Sequence, residues 1–191
     1  MKLNDLGEID TGLISSRKEE EFSKNKYKII NLRTIEQVGT IDLTKADELK
    51  TASDVERYLV EEGDVIIKVA YPFNAAAIKD LKGEEHVLSH HFCRVRLKTN
   101  KILPEYLAWY INSYNTDKFF SLITKSTIMR IPVGKLKELE IKIIPKEEQK
   151  KIIKIKKLLE EEETIINKLV EKRKELFKGY TQNLMKKHKE A

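Results

Sequence analysis

The sequence predicts an α+β chain of 191 residues: a mostly β globular part with short helices over residues 1–145, then one long C-terminal coiled-coil helix over 146–191. Three observations carry this division. Up to about Ile102 the apolar residues come in short runs separated by turn residues, the pattern of strands. From Pro104 the apolar spacing lengthens to a helical one, and after Pro145 no further Pro occurs and the only Gly is Gly179.

Four strands are expected in the first part, at Tyr27 to Leu32, Val38 to Leu43, Asp64 to Ala70 and Val87 to Leu97, all rich in Val, Ile, Tyr and Phe. Gly39, Gly63 and Gly83 fall beside or between these runs, where tight turns are needed. Pro104 opens a helix in which Leu107, Tyr110 and Ile111 share a face. A second short helix is expected at Thr116 to Ile123, then a polar segment from Lys125 to Pro132, and a last strand at Leu139 to Ile144 that closes the globular part at Pro145.

A long helix is expected after Pro145. Glu147, Glu148 and Gln149 occupy its first turn, where acidic side chains complement the helix dipole. A heptad with Ile152 at a places Ile152, Leu159, Ile166, Arg173 and Tyr180 at a, and Ile155, Glu162, Leu169, Leu176 and Asn183 at d. Seven of these ten are apolar, and the three polar positions are the kind that fix register and orientation. From Lys146 to His188 such a helix runs about 65 Å, too long to bury its stripe on a domain of this size. It needs a partner helix, and a second copy of the chain is the simplest source, with Ile152, Ile155, Leu159, Ile166, Leu169, Leu176 and Tyr180 as dimerisation residues.

Charged residues make up 36% and hydrophobic residues 40%, an ordinary folded composition with net charge +6. The excess lies in the tail: residues 146–191 hold 14 Lys and Arg against 9 Asp and Glu, leaving 23 against 22 for the first 145. The near-neutral globular part is compatible with nucleic-acid binding if its basic residues cluster on one face. The single cysteine, Cys93, excludes an internal disulfide framework, and no apolar run near Met1 suggests a signal peptide or a membrane span, so a soluble cytoplasmic protein is expected.

The sequence carries no recognisable catalytic constellation. Among seven glycines there is no GxGxxG and no GxxxxGK[ST], so no phosphate cradle of a dinucleotide- or ATP-using enzyme is recognisable, which argues against a methyltransferase or ATPase in this chain. His91 and Cys93 would share a face of the expected strand, with His90 opposite, but no second pair completes a metal site. Glu140-Ile141-Lys142 has the Glu-x-Lys spacing of metal-dependent nucleases, yet no Pro-Asp precedes it, and an alternating strand gives the same tripeptide. Ser89 and His90 have no spacing that supports a triad.

Several landmarks occur in a distinctive order. They include Leu6-Gly7-Glu8-Ile9, Gly12 and Ser15-Ser16-Arg17-Lys18, then Tyr27 to Arg33, Glu62 to Ile67 and Pro72-Phe73-Asn74. Further along come His91 to Arg96, Leu103 to Leu107, Ser126 to Pro132, Ile141 to Pro145, and Glu147-Glu148-Gln149-Lys150-Lys151-Ile152. In this order they resemble one half of a specificity subunit of type I restriction-modification systems, over nearly the whole chain. The resemblance implies a target-recognition domain followed by a helical spacer. Family members usually carry two such units in one polypeptide, with their long helices paired antiparallel. Ending at Ala191 after one unit, this chain is expected to be a half-size subunit that restores the full shape by homodimerising, or else a truncated gene product; the unpaired helix favours the first. The resemblance further implies binding of double-stranded DNA at a bipartite, palindromic site and recruitment of methyltransferase (modification) subunits, with room for a restriction subunit. It implies no cofactor in this chain, S-adenosylmethionine belonging to the modification subunits.

Residue chemistry supplies the contact candidates, because Arg, Lys, Asn and Gln read base edges while hydroxyls and ammonium groups hold phosphates. Three polar loops stand out: Ser16, Arg17 and Lys18 with Ser15; Lys68, Tyr71 and Asn74; and Lys125, Ser126, Thr127 and Arg130. His90 is a weaker addition that can equally pack within the sheet, Asn74 can be a turn residue after Pro72, and Arg17-Lys18 can be a solvated turn. The competing functions are a metal-dependent nuclease using Glu140 and Lys142, and a coiled-coil adaptor that never meets DNA.

Overall fold

β-branched runs account for some of the strands, and the strands assemble into two sheets that share a buried cluster. The structure is a computed structural model and describes residues 1–14, 26–35, 39–51, 54–113, 116, 119–121 and 130–187. The strands are β1 (Gly7–Thr11), β2 (Lys26–Ile30), β3 (Asp47–Lys50), β4 (Val65–Lys68), β5 (Asn74–Ala77), β6 (His86–Leu88) and β7 (Phe92–Leu97). The helices are α1 (Pro104–Ile111), α2 (Val133–Lys137) and α3 (Lys146–Lys187). The chain is therefore α+β with a long C-terminal helix, as the sequence predicts.

One sheet has the order β1-β7-β4-β5 and is antiparallel throughout; the other has the order β3-β2-β6, in which β6 runs parallel to β2. Ile66, Ala76 and Phe92 of the first sheet meet Ile30 and Leu88 of the second in one buried cluster with Ile35, Val60 and Ile78. Val65, Ile66 and Ile67 are all fully buried, so both faces of β4 are covered, and α1 packs on β4 and β5 through an element whose Tyr106, Leu107, Ala108 and Ile111 are buried. β5 is an edge strand, and Asn112 satisfies part of that edge by accepting from Ala75 N and donating to Ala75 O, both at 2.7 Å. Gly39 lies against this clasp with φ +76°, where a Cβ would come within 2.2 Å of Asn112 Nδ2.

The remaining expectations divide. Tyr27 to Leu32 overlaps β2, and Asp64 to Ala70 contains β4. The run from Val87 to Leu97 is not one strand: a turn at Ser89–His91, closed by Phe92 N donating to Ser89 O at 3.0 Å, ends β6 in one sheet and starts β7 in the other. Apolar periodicity cannot register this break, because both arms are β-rich. Val38 to Leu43 is not a strand in its described part, Gly39–Leu43. Ile41 makes one isolated bridge to Ile35, after which Asp42 accepts from Thr44 N and Oγ1 and turns the backbone into a single 3-10 turn. At Leu139 to Ile144 there is one bridge, Lys2 to Glu140, in place of a strand; the chain is extended with Leu139 and Ile141 buried and Glu140 and Lys142 exposed, but the 3-10 turn at Leu3–Asp5 takes the neighbouring chain away. Of the helix expected at Thr116 to Ile123, Phe119–Ser121 are helical; residues 117, 118, 122 and 123 lie outside the described residues.

The chain forms two compact units, Met1–Gln149 and Lys150–Ala191. The last residue of the first unit fastens the start of α3 within that unit. Gln149, with no exposed surface, accepts from Leu103 N and donates from Nε2 to Lys101 O and Ile144 O, each at 2.8 Å. Among the described residues, no helix is long and apolar enough to cross a membrane.

Candidate functional site

Three chain segments converge at one end of β4. Beyond Lys68 the chain continues through Val69 and Ala70 to a cis Tyr71–Pro72 bond and Phe73 before β5 begins. The β6–β7 turn carrying His90 and His91 lies on one side, held by Val69 N donating to His91 O at 3.1 Å. Arg130 and Ile131 lie on another side: Arg130 bridges Ala70, and Ile131 N donates to Val69 O at 2.7 Å. The Arg130 guanidinium then reaches back, donating from Nη2 to His90 O at 2.6 Å.

A basic, partly exposed cluster results. The His90 and His91 rings are 4.0 Å apart, Arg130 is exposed, and Lys68 is half-buried. Burial holds the His91 imidazole below the ordinary histidine value, and the charges of His90, Arg130 and Lys68 push it further in the same direction. Such a group holds a proton less readily than an ordinary histidine. Tyr71 stands beside this cluster with 60% of its surface exposed and its ring edge-on to Phe73, which in turn packs on Phe120. An exposed aromatic ring beside cations can stack on a base or a sugar.

The first-sheet arginines are occupied elsewhere. Arg96 forms a two-pronged pair with the buried Asp64, Nε to Oδ1 at 2.9 Å and Nη2 to Oδ2 at 2.8 Å, and this hydrogen bonding raises the Arg96 pKa. Arg94, 6% exposed, binds Asp10 at 2.9 Å and also donates to Leu59 O. Arg94 and Arg96 are thus tied to carboxylates within the domain, which composition cannot reveal. Cys93 is fully buried, and burial pushes its thiol up to about 12. Among the described residues, no group of three His, Cys, Asp or Glu could hold a metal ion.

The long helix offers a second feature. Leu176, Phe177 and Met185 are 75%, 69% and 68% exposed, and Ile155, Leu159, Ile166, Leu169 and Tyr180 are each about half exposed or more. Leu158, Ile165, Val170 and Leu184, outside the a and d positions, are exposed as well and widen the stripe.

The family described as the type I restriction modification DNA specificity domain matches residues 1–175. The chain belongs to this family. It is 28% identical over 195 residues to a protein of Methanocaldococcus jannaschii assigned as the specificity subunit of the type I restriction enzyme MjaX, a match covering 97% of this chain and 45% of that protein. Among solved structures, it resembles the HsdS subunit from Thermoanaerobacter tengcongensis with TM-score 0.64 and 20% identity, over 88% of this chain and 43% of that one. A second likeness is to a chain solved in work on complex assembly and conformational transition of the type I R-M system, with TM-score 0.66 and 19% identity over 86% and 43% of the two chains. At these identities the two structures speak for the fold. The chain spans less than half the length of the relatives it matches.

Of the contact residues expected in this family member, the structure brings together Lys68, Tyr71, His90 and Arg130. Asn74 is 7% exposed and its Oδ1 accepts from Ala75 N, so it is a buried residue at the start of β5. Ser16, Arg17, Lys18, Lys125, Ser126 and Thr127 lie outside the described residues. His91 was missed, because a continuous strand would have sent the two histidines to opposite faces; the signal lay in the consecutive polar residues Ser89-His90-His91 interrupting an apolar run.

Proposed function

We propose that the chain is a non-catalytic, sequence-reading specificity subunit of a type I restriction-modification system, and that it binds double-stranded DNA through the Lys68–Tyr71–His90–His91–Arg130 face. The single observation that carries this reading is the family match over residues 1–175. The basic cluster supports it, since two cations and two imidazoles with an adjacent exposed tyrosine suit phosphate and base contacts. The loops with Ser16, Arg17 and Lys18, and with Lys125, Ser126 and Thr127, belong to the same proposed interface.

In this reading α3 pairs with α3 of a second copy, through Ile152, Ile155, Leu159, Ile166, Leu169, Leu176 and Tyr180, and the dimer reads a bipartite palindrome with one recognition domain, residues 1–145, on each half-site. The exposure of the apolar stripe supports a missing partner helix. Modification subunits, docked on the assembly, supply S-adenosylmethionine and the methyl transfer. Co-expression with a modification subunit tests this directly. The two should co-purify and bind duplex DNA with an affinity that falls steeply with salt, whereas failure to co-purify or salt-insensitive binding would overturn the reading.

A further inference from the structure

Large apolar side chains left in water are few in the first unit, and most of them gather at one place. Among the described residues up to Gln149 they are Met1, Ile14, Leu32 and Tyr71. Ile14 is the barest, at 81% exposure, and it adjoins the basic cluster: Leu13 O accepts from His90 N at 2.8 Å, so Ile14 is the residue next to that hydrogen bond. Leu32 is two residues past Ile30, whose carbonyl accepts from Ser89 N at 3.3 Å on the β2 side of the same turn. Tyr71 follows Ala70, the bridge partner of Arg130. Packing does not account for Ile14. Leu13 turns inward against Leu49, Val55 and Val87, and in extended chain the next side chain points the other way.

We infer that Ile14 is a specificity-determining residue, which reads the C5 methyl group of a thymine in the major groove of the recognised half-site. The inference rests on the DNA-binding reading above and adds one base identity to it. Isoleucine neither donates nor accepts a hydrogen bond, so a phosphate or a polar base edge gains nothing from it. The apolar group on the edges of the base pairs is the thymine methyl, and it is displayed in the major groove alone. A β-branched side chain also has few rotamers to lose on contact. Lys68 and Arg130, with the two imidazoles, draw phosphates to the His90–His91 turn, and the same turn holds the backbone of Leu13 and so places Ile14. Covering one methyl group that water otherwise surrounds changes affinity about 4-fold. That is enough to set a preference at one base pair while the cations supply the bulk of the binding.

A deoxyuridine scan tests this, since uracil pairs as thymine does and lacks only the methyl. The full chain, assembled with a modification subunit, is titrated by fluorescence anisotropy with duplexes carrying the motif that the complex methylates, each thymine of one half-site being replaced in turn. The parent should lose about 4-fold in affinity at one thymine. Ile14→Ala should bind the unsubstituted duplex about 4-fold more weakly and lose less than about 1.5-fold on replacement of that thymine, the signature of two groups in contact. Ile14→Val, which keeps the branched carbon, should retain most of the penalty. General damage by the alanine would instead weaken every duplex and leave the penalty in place. An equal penalty in the parent and in Ile14→Ala, a scan with no sensitive position, or a half-site with no thymine on either strand would overturn the assignment while the DNA-binding reading stands. A parent complex that binds no duplex removes that reading, and Ile14 as a reader with it.

Discussion

Replacing Gln149 with Leu keeps a side chain of similar size at the start of α3 but deletes a polar clasp. The fully buried amide makes three hydrogen bonds of 2.8 Å, one accepted from Leu103 N and two donated to Lys101 O and Ile144 O. Each is worth about 1 kcal/mol net, and the partners that water cannot reach afterwards cost more. Lys101 is exposed and its carbonyl can be rehydrated, whereas Leu103 and Ile144 are half-buried. The expected loss is about 3 kcal/mol, which for a unit of this size lowers Tm by about 6–12 °C in a thermal melt followed by circular dichroism. Gln149→Glu supplies a signature that simple packing would not. Its carboxylate can still accept from Leu103 N but faces two carbonyl oxygens, so its folded pKa is raised and the variant should regain stability relative to the parent as pH falls from 7 to 5. A Tm change under about 2 °C for Gln149→Leu, or a pH-independent deficit for Gln149→Glu, would refute the reasoning.

Other perturbations address the proposed interface and the scaffold behind it. Arg130→Ala should weaken DNA binding by the assembled complex about 5- to 30-fold and reduce the slope of log K against log salt by about one, measured by fluorescence anisotropy; an unchanged slope would remove Arg130 from the phosphate contacts. For His91, whose pKa in the free protein is lowered chiefly by burial, a phosphate brought alongside raises it, so binding takes up a proton. Affinity should therefore rise as pH falls from 7.5 to 5.5, and His91→Gln should flatten that rise; an equal rise in the variant would exclude His91. Without DNA the sign reverses: the unfolded chain protonates first, so the His91 contribution to stability is fully present above about pH 6.5 and is lost below it, a loss that His91→Gln should reduce in urea titrations at pH 7 and 5. Arg96→Met leaves the Asp64 carboxylate, 2% exposed, without its charged partner and should cost about 3 kcal/mol in the same titrations, whereas a loss under 1 kcal/mol would mean that the pair is freely solvated.

The parts of the fold that were legible in the sequence are those where one local pattern decides the outcome. β2 and β4 are strands because Tyr27, Ile29 and Ile30, and Val65, Ile66 and Ile67, prefer extended backbone and find partners for it. α3 follows from more than forty residues without Pro and with acidic residues in the first turn. The illegible parts depend on tertiary pairing. β5 is Asn-Ala-Ala-Ala, a poor strand former that is extended because β4 pairs with it on one side and Asn112 clasps its edge. β1 and β3 are polar and carry no apolar alternation strong enough to announce them. For the same reason the site was visible as separate loops and not as one cluster. Ala70 and Arg130 are brought together by a bridge between residues sixty apart, and the His90–His91 pair by a turn inside an apparently continuous strand. The sequence could name Lys68, Tyr71, His90 and Arg130 by chemistry, but it could not say that Arg94 and Arg96 are engaged by Asp10 and Asp64.

The central claim is that two copies of this chain read DNA together and direct a partner's chemistry to a split target. It is tested most directly by expressing the chain with a modification subunit in a methylation-free host and mapping the methylated adenines or cytosines across the genome. Methylation at a single motif made of two inverted half-sites separated by a constant, unread spacer is the predicted result. Methylation at a contiguous or asymmetric motif, or sites that do not change when the chain is omitted, would contradict it.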